Sequence, residues 1–149
     1  MRIIETQIDI AASASRVWQI LTDFRAYSGW NPFITDIVGR PEPGARLRVR
    51  ICPPGRSSIM FKPTVLEVAR EWELRWRGRR IVPAFFDGEH SFRIRTHGRF
   101  CRFHQSERFT GIMVRAIGDD VFDAIQRGFE EMNAALKLRA EVVSFIGAS

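Results

Sequence analysis

Residues 102–110, Arg102-Phe103-His104-Gln105-Ser106-Glu107-Arg108-Phe109-Thr110, and the change of rhythm after them decide the fold. Phe103, Gln105, Glu107 and Phe109 alternate with Arg102, His104, Ser106 and Arg108. Alternation with a period of two marks a strand with one dry and one wet face. From about residue 115 to 142 the period becomes helical. Ile117, Val121, Ile125, Phe129, Met132, Leu136 and, just past that span, Val143 fall near one stripe. Asp119, Asp123, Glu130, Glu131, Lys137, Arg139 and Glu141 lie elsewhere around the helix. At ~1.5 Å per residue such a helix is about 40 Å long, enough to cross a small domain. Gly118 and Asp119 mark a break or cap near its start, and residues 144–149 are expected to fray.

Working back from this point, the same period of two recurs. His90, Phe92 and Ile94 alternate with Ser91, Arg93 and Arg95, and Trp72, Leu74 and Trp76 alternate with Glu73, Arg75 and Arg77. A loop with Pro83 and Gly88 joins these two runs, and His97-Gly98 turns the chain after the second. Residues 59–68 read as one strand with Phe61 and Val65 on a common face. Pro63 inside it predicts an edge position or a bulge, because proline cannot donate to a ladder. Leu47, Val49 and Ile51 alternate with Arg46, Arg48 and Arg50, and Ile34–Val38 is a further short strand. Before it, Val17, Trp18, Ile20, Leu21 and Phe24 repeat at helical spacing after a small-residue turn in which Ser13 or Ser15 is the cap. Residues 2–10 are the first strand. Tyr27-Ser28-Gly29-Trp30-Asn31-Pro32-Phe33 breaks the short helix, and its aromatic content makes it a candidate lid.

These readings give an α+β chain. About seven strands form a curved antiparallel sheet, dry on one side, wrapped around a long C-terminal helix, with two short helices after the first strand. The 149 residues fit one domain, 1–149, large enough to hold a core without disulfides or metal. Cys52 and Cys101 point to opposite faces by alternation, so no disulfide is expected. There is no run of ~20 apolar residues and no signal-peptide pattern, so the expected location is the cytoplasm, without stable membrane insertion. The net charge is +6, and Lys62 and Lys137 are the only lysines. The arginines are spread along the chain and interleaved with glutamates, which argues against nucleic acid as a partner. The sequence is compatible with a monomer or a homodimer.

Four segments carry a family resemblance in the expected order along the chain. Trp30-Asn31-Pro32-Phe33, Gly88-Glu89-His90-Ser91-Phe92, Ser106-Glu107-Arg108-Phe109-Thr110-Gly111 and Gly128–Lys137 are similar to motifs of the polyketide cyclase/dehydrase-like branch of the SRPBCC (START/birch-pollen-allergen) superfamily. The resemblance implies a helix-grip fold and a cavity between the sheet and the last helix, used for lipids, polyketides or other apolar molecules. It implies function only loosely, since the superfamily holds binders, cyclases and accessory factors.

Glu107 is the foremost candidate for chemistry. Its parity with Phe103 and Phe109 turns it to the dry side, where desolvation raises a carboxyl pKa and suits it to acid–base work; the bland alternative is a pair with an arginine or a cap on backbone groups near the pocket mouth. His90 shares a face with Phe92 and Ile94 and could work with Glu107 if their strands are neighbours; otherwise it is a satisfied core histidine. Gln105 points the same way. The other residues expected around an apolar ligand come from three regions. The lid and early strands supply Trp30, Phe33, Phe61 and Val65. The next strands supply Trp72, Leu74, Trp76, Phe92, Phe103 and Phe109, and the helix supplies Val121, Ile125 and Phe129. In a plain core the same aromatics only fill volume. Cys101 has no basic residue in phase beside it and is not proposed as a nucleophile. No metal-ligand spacing and no nucleotide, nicotinamide or flavin motif is present, so neither a metal nor a cofactor is expected. Three functions follow: binding of a small hydrophobic molecule, polyketide or aromatic cyclase or dehydratase chemistry using Glu107 and His90, and a protein-partner module.

Overall fold

The computed structural model describes residues 1–79 and 87–147, with the side chains of Arg79 and 143–147 left aside. Pro83, expected in a connecting loop, lies outside the described residues.

Strand β1 (Arg2–Ile10) opens the chain, followed by helix α1 (Ala14–Thr22) and a 3-10 turn at Phe24–Gly29. Ser13 caps α1 by accepting from the Arg16 N–H, which leaves one fewer unpaired donor at the helix start. Six short to medium strands come next: β2 (Ile34–Val38), β3 (Arg48–Ile51), β4 (Ile59–Phe61), β5 (Thr64–Ala69), β6 (Glu73–Arg79) and β7 (Asp87–His97). Then β8 (Phe100–Thr110) leads through a 3-10 turn at Ile112–Ala116 to helix α2 (Asp119–Gly147). The helix starts at Asp119, later than the periodicity predicts, because Ile112–Ala116 forms its own 3-10 turn and Gly118 precedes a first turn carrying Asp119 and Asp120. Carboxylates there complement the helix dipole, and they also pair with Arg2 and Arg56. The far end continues past the expected fraying point to Gly147.

Every pairing is antiparallel, but the strands form two sheets instead of one. Five strands run in the order β1-β8-β7-β6-β5 and three in the order β2-β3-β4. The expected single strand over 59–68 is divided at Lys62-Pro63, where proline supplies no donor, and the isolated bridge Arg46↔Thr64, flanked by a bond from the Gly44 N–H to the Val65 carbonyl, links the two parts of the β system here. The long helix packs chiefly on β1 and also meets α1 and β8. Its Ile125, Phe129, Met132 and Leu136 are buried on the stripe read from the sequence, while Val121 and Ile117 are half-buried at its margin. Phe122, Asn133 and Ala140 extend the buried face. Among the described residues no helix is long and apolar enough to cross a membrane.

The aromatic segment expected as a lid is part of the core. Tyr27 is fully buried and donates its hydroxyl to the Leu21 carbonyl. The Asn31 side-chain oxygen accepts from the N–H groups of Phe33 and Ile34 and fixes the turn into β2. Phe33 is buried against Phe129, with ring centroids 5.5 Å apart. Gly128 makes this contact feasible, because a Cβ there would lie 2.2 Å from the Phe33 ring.

Candidate functional site

Strand register assembles the site. β7 and β8 pair so that His90 lies opposite Glu107 and Phe92 opposite Gln105. β6 brings Trp76 opposite His90, and β1 brings Thr6 opposite Gln105. Since directly opposed residues share a face, the inward parity of Phe103 and Phe109 extends to all of them.

Four side chains form one directed chain of hydrogen bonds under α2. Gln105 donates from Nε2 to Asn133 Oδ1 at 2.8 Å, and Asn133 donates from Nδ2 to Thr6 Oγ1 at 2.8 Å. The Thr6 hydroxyl donates back to the Gln105 carbonyl at 3.4 Å. Gln105 Oε1 is therefore left as an acceptor, 2.8 Å from His90 Nε2. That arrangement assigns the His90 proton to Nε2 and leaves Nδ1 with a free lone pair.

Nδ1 faces Glu107 Oε1 at 3.5 Å. Burial pushes the His90 pKa down to about 3, with the Gln105 bond acting weakly in the other direction. Burial pushes the Glu107 carboxyl up to about 8. Near neutrality the pair is thus a neutral imidazole beside a protonated acid, not an ion pair, and 3.5 Å is beyond a good direct hydrogen bond. The Glu107 side chain keeps 15% of its surface exposed, so it sits at the margin of the buried polar chain. Gly88 seats it: a Cβ at that position would lie 2.5 Å from Glu107 Oε2.

Around these groups the wall is aromatic. The His90 ring stacks on Phe92 at 4.3 Å and meets Phe129 at 4.8 Å and Trp76 at 5.5 Å. Phe92 in turn contacts Phe103 at 6.0 Å. The rings expected to line an open cavity therefore touch one another. Within this wall the Trp76 indole N–H is buried and has no partner among the described residues. On the other face of β7, Asp87 Oδ1 is also buried without a partner among the described residues, although Asp87 Oδ2 accepts from Arg77 at 2.6 Å.

Of the residues expected around a ligand, Phe33, Val65, Leu74, Trp76, His90, Phe92, Phe103, Gln105, Phe109, Ile125 and Phe129 are buried. Phe61, Trp30 and Val121 are half-buried at the edge of the core. Trp72 is misplaced by the alternation argument. It is 55% exposed and lies under the Arg95 guanidinium, 3.8 Å from its ring centroid. Glu71 before it adopts a positive φ of 63°, and this tight turn into β6 breaks the parity that Leu74 and Trp76 keep. Thr6 and Asn133 are not among the residues expected at the site, and Gly88, expected in the connecting loop, lies in β7. Thr6 shares parity with Ile4, Ile8 and Ile10, and Asn133 stands four residues after Phe129 and three before Leu136, so each was visible as a polar residue on an apolar face. Cys101 is buried, with its thiol pushed up to about 11 by burial, and Cys52 is likewise free. Among the described residues no group of three His, Cys, Asp or Glu is placed to hold a metal ion.

A family model described as polyketide cyclase / dehydrase and lipid transport matches residues 1–141. No curated protein matches the sequence. Among solved structures, the fold is similar to a START superfamily protein from Mycobacterium smegmatis, 23% identical, with a TM-score of 0.74 over 95% of this chain and 98% of that one. It is also similar to the Zhui aromatase/cyclase from a Streptomyces species, 19% identical, TM-score 0.74, covering 94% and 93% of the two chains. A third is the Aha1 dimer from Colwellia psychrerythraea, 17% identical, TM-score 0.71, covering 95% and 98%. At these identities the likeness concerns the fold.

Proposed function

The chain belongs to the polyketide cyclase / dehydrase and lipid transport family, and from that premise we propose that it binds a small hydrophobic molecule between its five-stranded sheet and α2. The helix-grip fold is consistent with such binding. The observation that carries the reading is the polar chain His90-Gln105-Asn133-Thr6 inside an otherwise aromatic interior, with the Trp76 N–H left over. Buried polar groups cost stability unless paired, and a few convergent ones within an apolar wall are the composition of a ligand site. The ligand reading requires the touching rings to part, with Phe92, Phe129 and Trp76 as its apolar contacts.

Mass spectrometry of the purified protein, native and then denatured, tests this. A stoichiometric apolar compound released on denaturation is the expected result. A protein that is empty as purified and takes up no apolar probe sinks the proposal.

One observation favours a second reading, a polyketide or aromatic cyclase or dehydratase. Near neutrality Glu107 holds a proton and His90 Nδ1 holds a lone pair 3.5 Å away, so an acid and an acceptor stand side by side. In that reading Glu107 protonates a departing hydroxyl, its carboxylate then takes the proton beside the substrate carbonyl, His90 Nδ1 is the acceptor that holds the acid in place, and the confined pocket selects one folded chain. Glu107→Gln should then keep binding and lose turnover. If the unaltered protein turns over no cyclisable substrate, the enzyme reading fails and the binding reading stands.

A further inference from the structure

A separate groove of about 290 Å³ opens on the outside of the molecule between α1 and α2, lined by Arg16, Gln19, Ile20, Asp23, Ala26, Trp30 and Arg139. We propose that it binds a small monoanionic carboxylate with an apolar or aromatic body.

Sequence spacing builds one wall. Arg16, Gln19, Ile20 and Asp23 recur at intervals of three, four and seven, so they share one face of α1 and its cap. Arg139 reaches the groove from α2, and Trp30 comes from the end of the 3-10 turn, held edge-on against Tyr27 at 5.3 Å. The donors here are under-used. Arg16 gives only a 3.3 Å bond to Gln19 Oε1 from its side chain, and its Nε is buried without a partner among the described residues. The Trp30 indole N–H is also buried without one. Neither Arg16 nor Arg139 has a carboxylate partner among the described residues, although Asp23 lines the same groove.

Charge and shape set the ligand class. Two guanidinium groups and one carboxylate leave a net lining charge of one positive unit, which suits a monoanion over a doubly charged phosphate. A planar guanidinium presents paired donors matched to a carboxylate. The lining is mostly polar, with Ile20, Ala26 and the Trp30 ring supplying a smaller apolar part, so the carboxylate should carry only a small organic body. The volume is at the small end for ligand pockets, which limits that body to about one ring.

The test follows the Trp30 indole N–H by two-dimensional NMR, assigned with Trp30→Phe, during titration with benzoate and with phenylacetate. Benzyl alcohol and inorganic phosphate serve as the uncharged and inorganic controls. The expected result is a saturable shift from at least one carboxylate, with a Kd at or below about 1 mM. Arg139→Gln and Arg16→Gln should each weaken it about tenfold or more while the other three indole signals stay in place. Arg139 is exposed, so its variant is expected to fold even if the Arg16 one does not. Four outcomes overturn the proposal: no saturable shift from either carboxylate, an equal response to benzyl alcohol, an equal response to phosphate, or binding unchanged in the folded Arg139→Gln protein.

Discussion

Glu107 and His90 have pKa values displaced in opposite directions, and the two displacements shape stability against pH together. The His90 value falls from 6.5 to about 3 on folding, so below pH 6.5 the unfolded chain gains a proton there that the folded one refuses. The Glu107 value rises from 4.5 to about 8, so above pH 4.5 the unfolded chain loses a proton that the folded one keeps. Between pH 4.5 and 6.5 each state holds one proton on the pair, and the two effects cancel. Stability should therefore be level across that window. It should decline on the order of 1 kcal/mol per pH unit from 6.5 towards 8, and similarly from 4.5 towards 3. Denaturant melts across pH check this. Glu107→Gln should flatten the alkaline limb and, by removing the cancelling effect, extend the acid limb up to pH 6.5, whereas an alkaline limb that persists would place its origin in another residue.

At the scale of elements, the contact between α2 and the start of β2 reverses a helix-propensity rule. Replacing an interior helical glycine by alanine ordinarily stabilises by up to about 1 kcal/mol. Gly128→Ala should instead destabilise by roughly 1–3 kcal/mol, because its methyl group overlaps the buried Phe33 ring. A chemical denaturation midpoint that rises would refute the packing assigned to Phe33. One residue on, Phe129→Ala should cost about 3–5 kcal/mol if the ring is fully packed, as its contacts with Phe33 and His90 indicate. A near-zero change would mean that the ring borders empty space. These elements were largely legible in the sequence, because each strand's period of two and the α2 stripe depend only on which face is dry. What escaped is set by local backbone geometry or by side-chain packing. Trp72 left its expected face through the turn at Glu71, Pro63 divided one strand into two, and the closeness of Phe92, His90 and Phe129 follows from packing that periodicity does not encode.

Across the whole molecule, the outer and inner faces of the five-stranded sheet are stabilised by different means. Outside, Arg75–Glu89 at 2.9 Å, Arg93–Glu73 at 3.0 Å and Arg102–Asp9 at 2.8 Å form a ladder of exposed and partly exposed ion pairs that solvent and salt screen. Arg75, Arg93 and Arg102 thus belong to a solvated, ion-paired face. Inside, rings touch continuously from the surface groove to the interior site: Trp30 to Tyr27 at 5.3 Å, Tyr27 to Phe24 at 5.6 Å, Phe24 to Trp76 at 6.4 Å and Trp76 to His90 at 5.5 Å. At the end of that series lies the proton that His90 shares with Gln105. Closed off from solvent, it works as a clock. In heavy water its NMR signal should outlast those of exposed side chains, and its lifetime counts how often the interior opens to admit a solvent molecule. Any guest that enters between sheet and helix is larger than a water molecule and needs openings at least as wide, so the opening rate read from this one hydrogen sets an upper bound on how fast the molecule can be loaded.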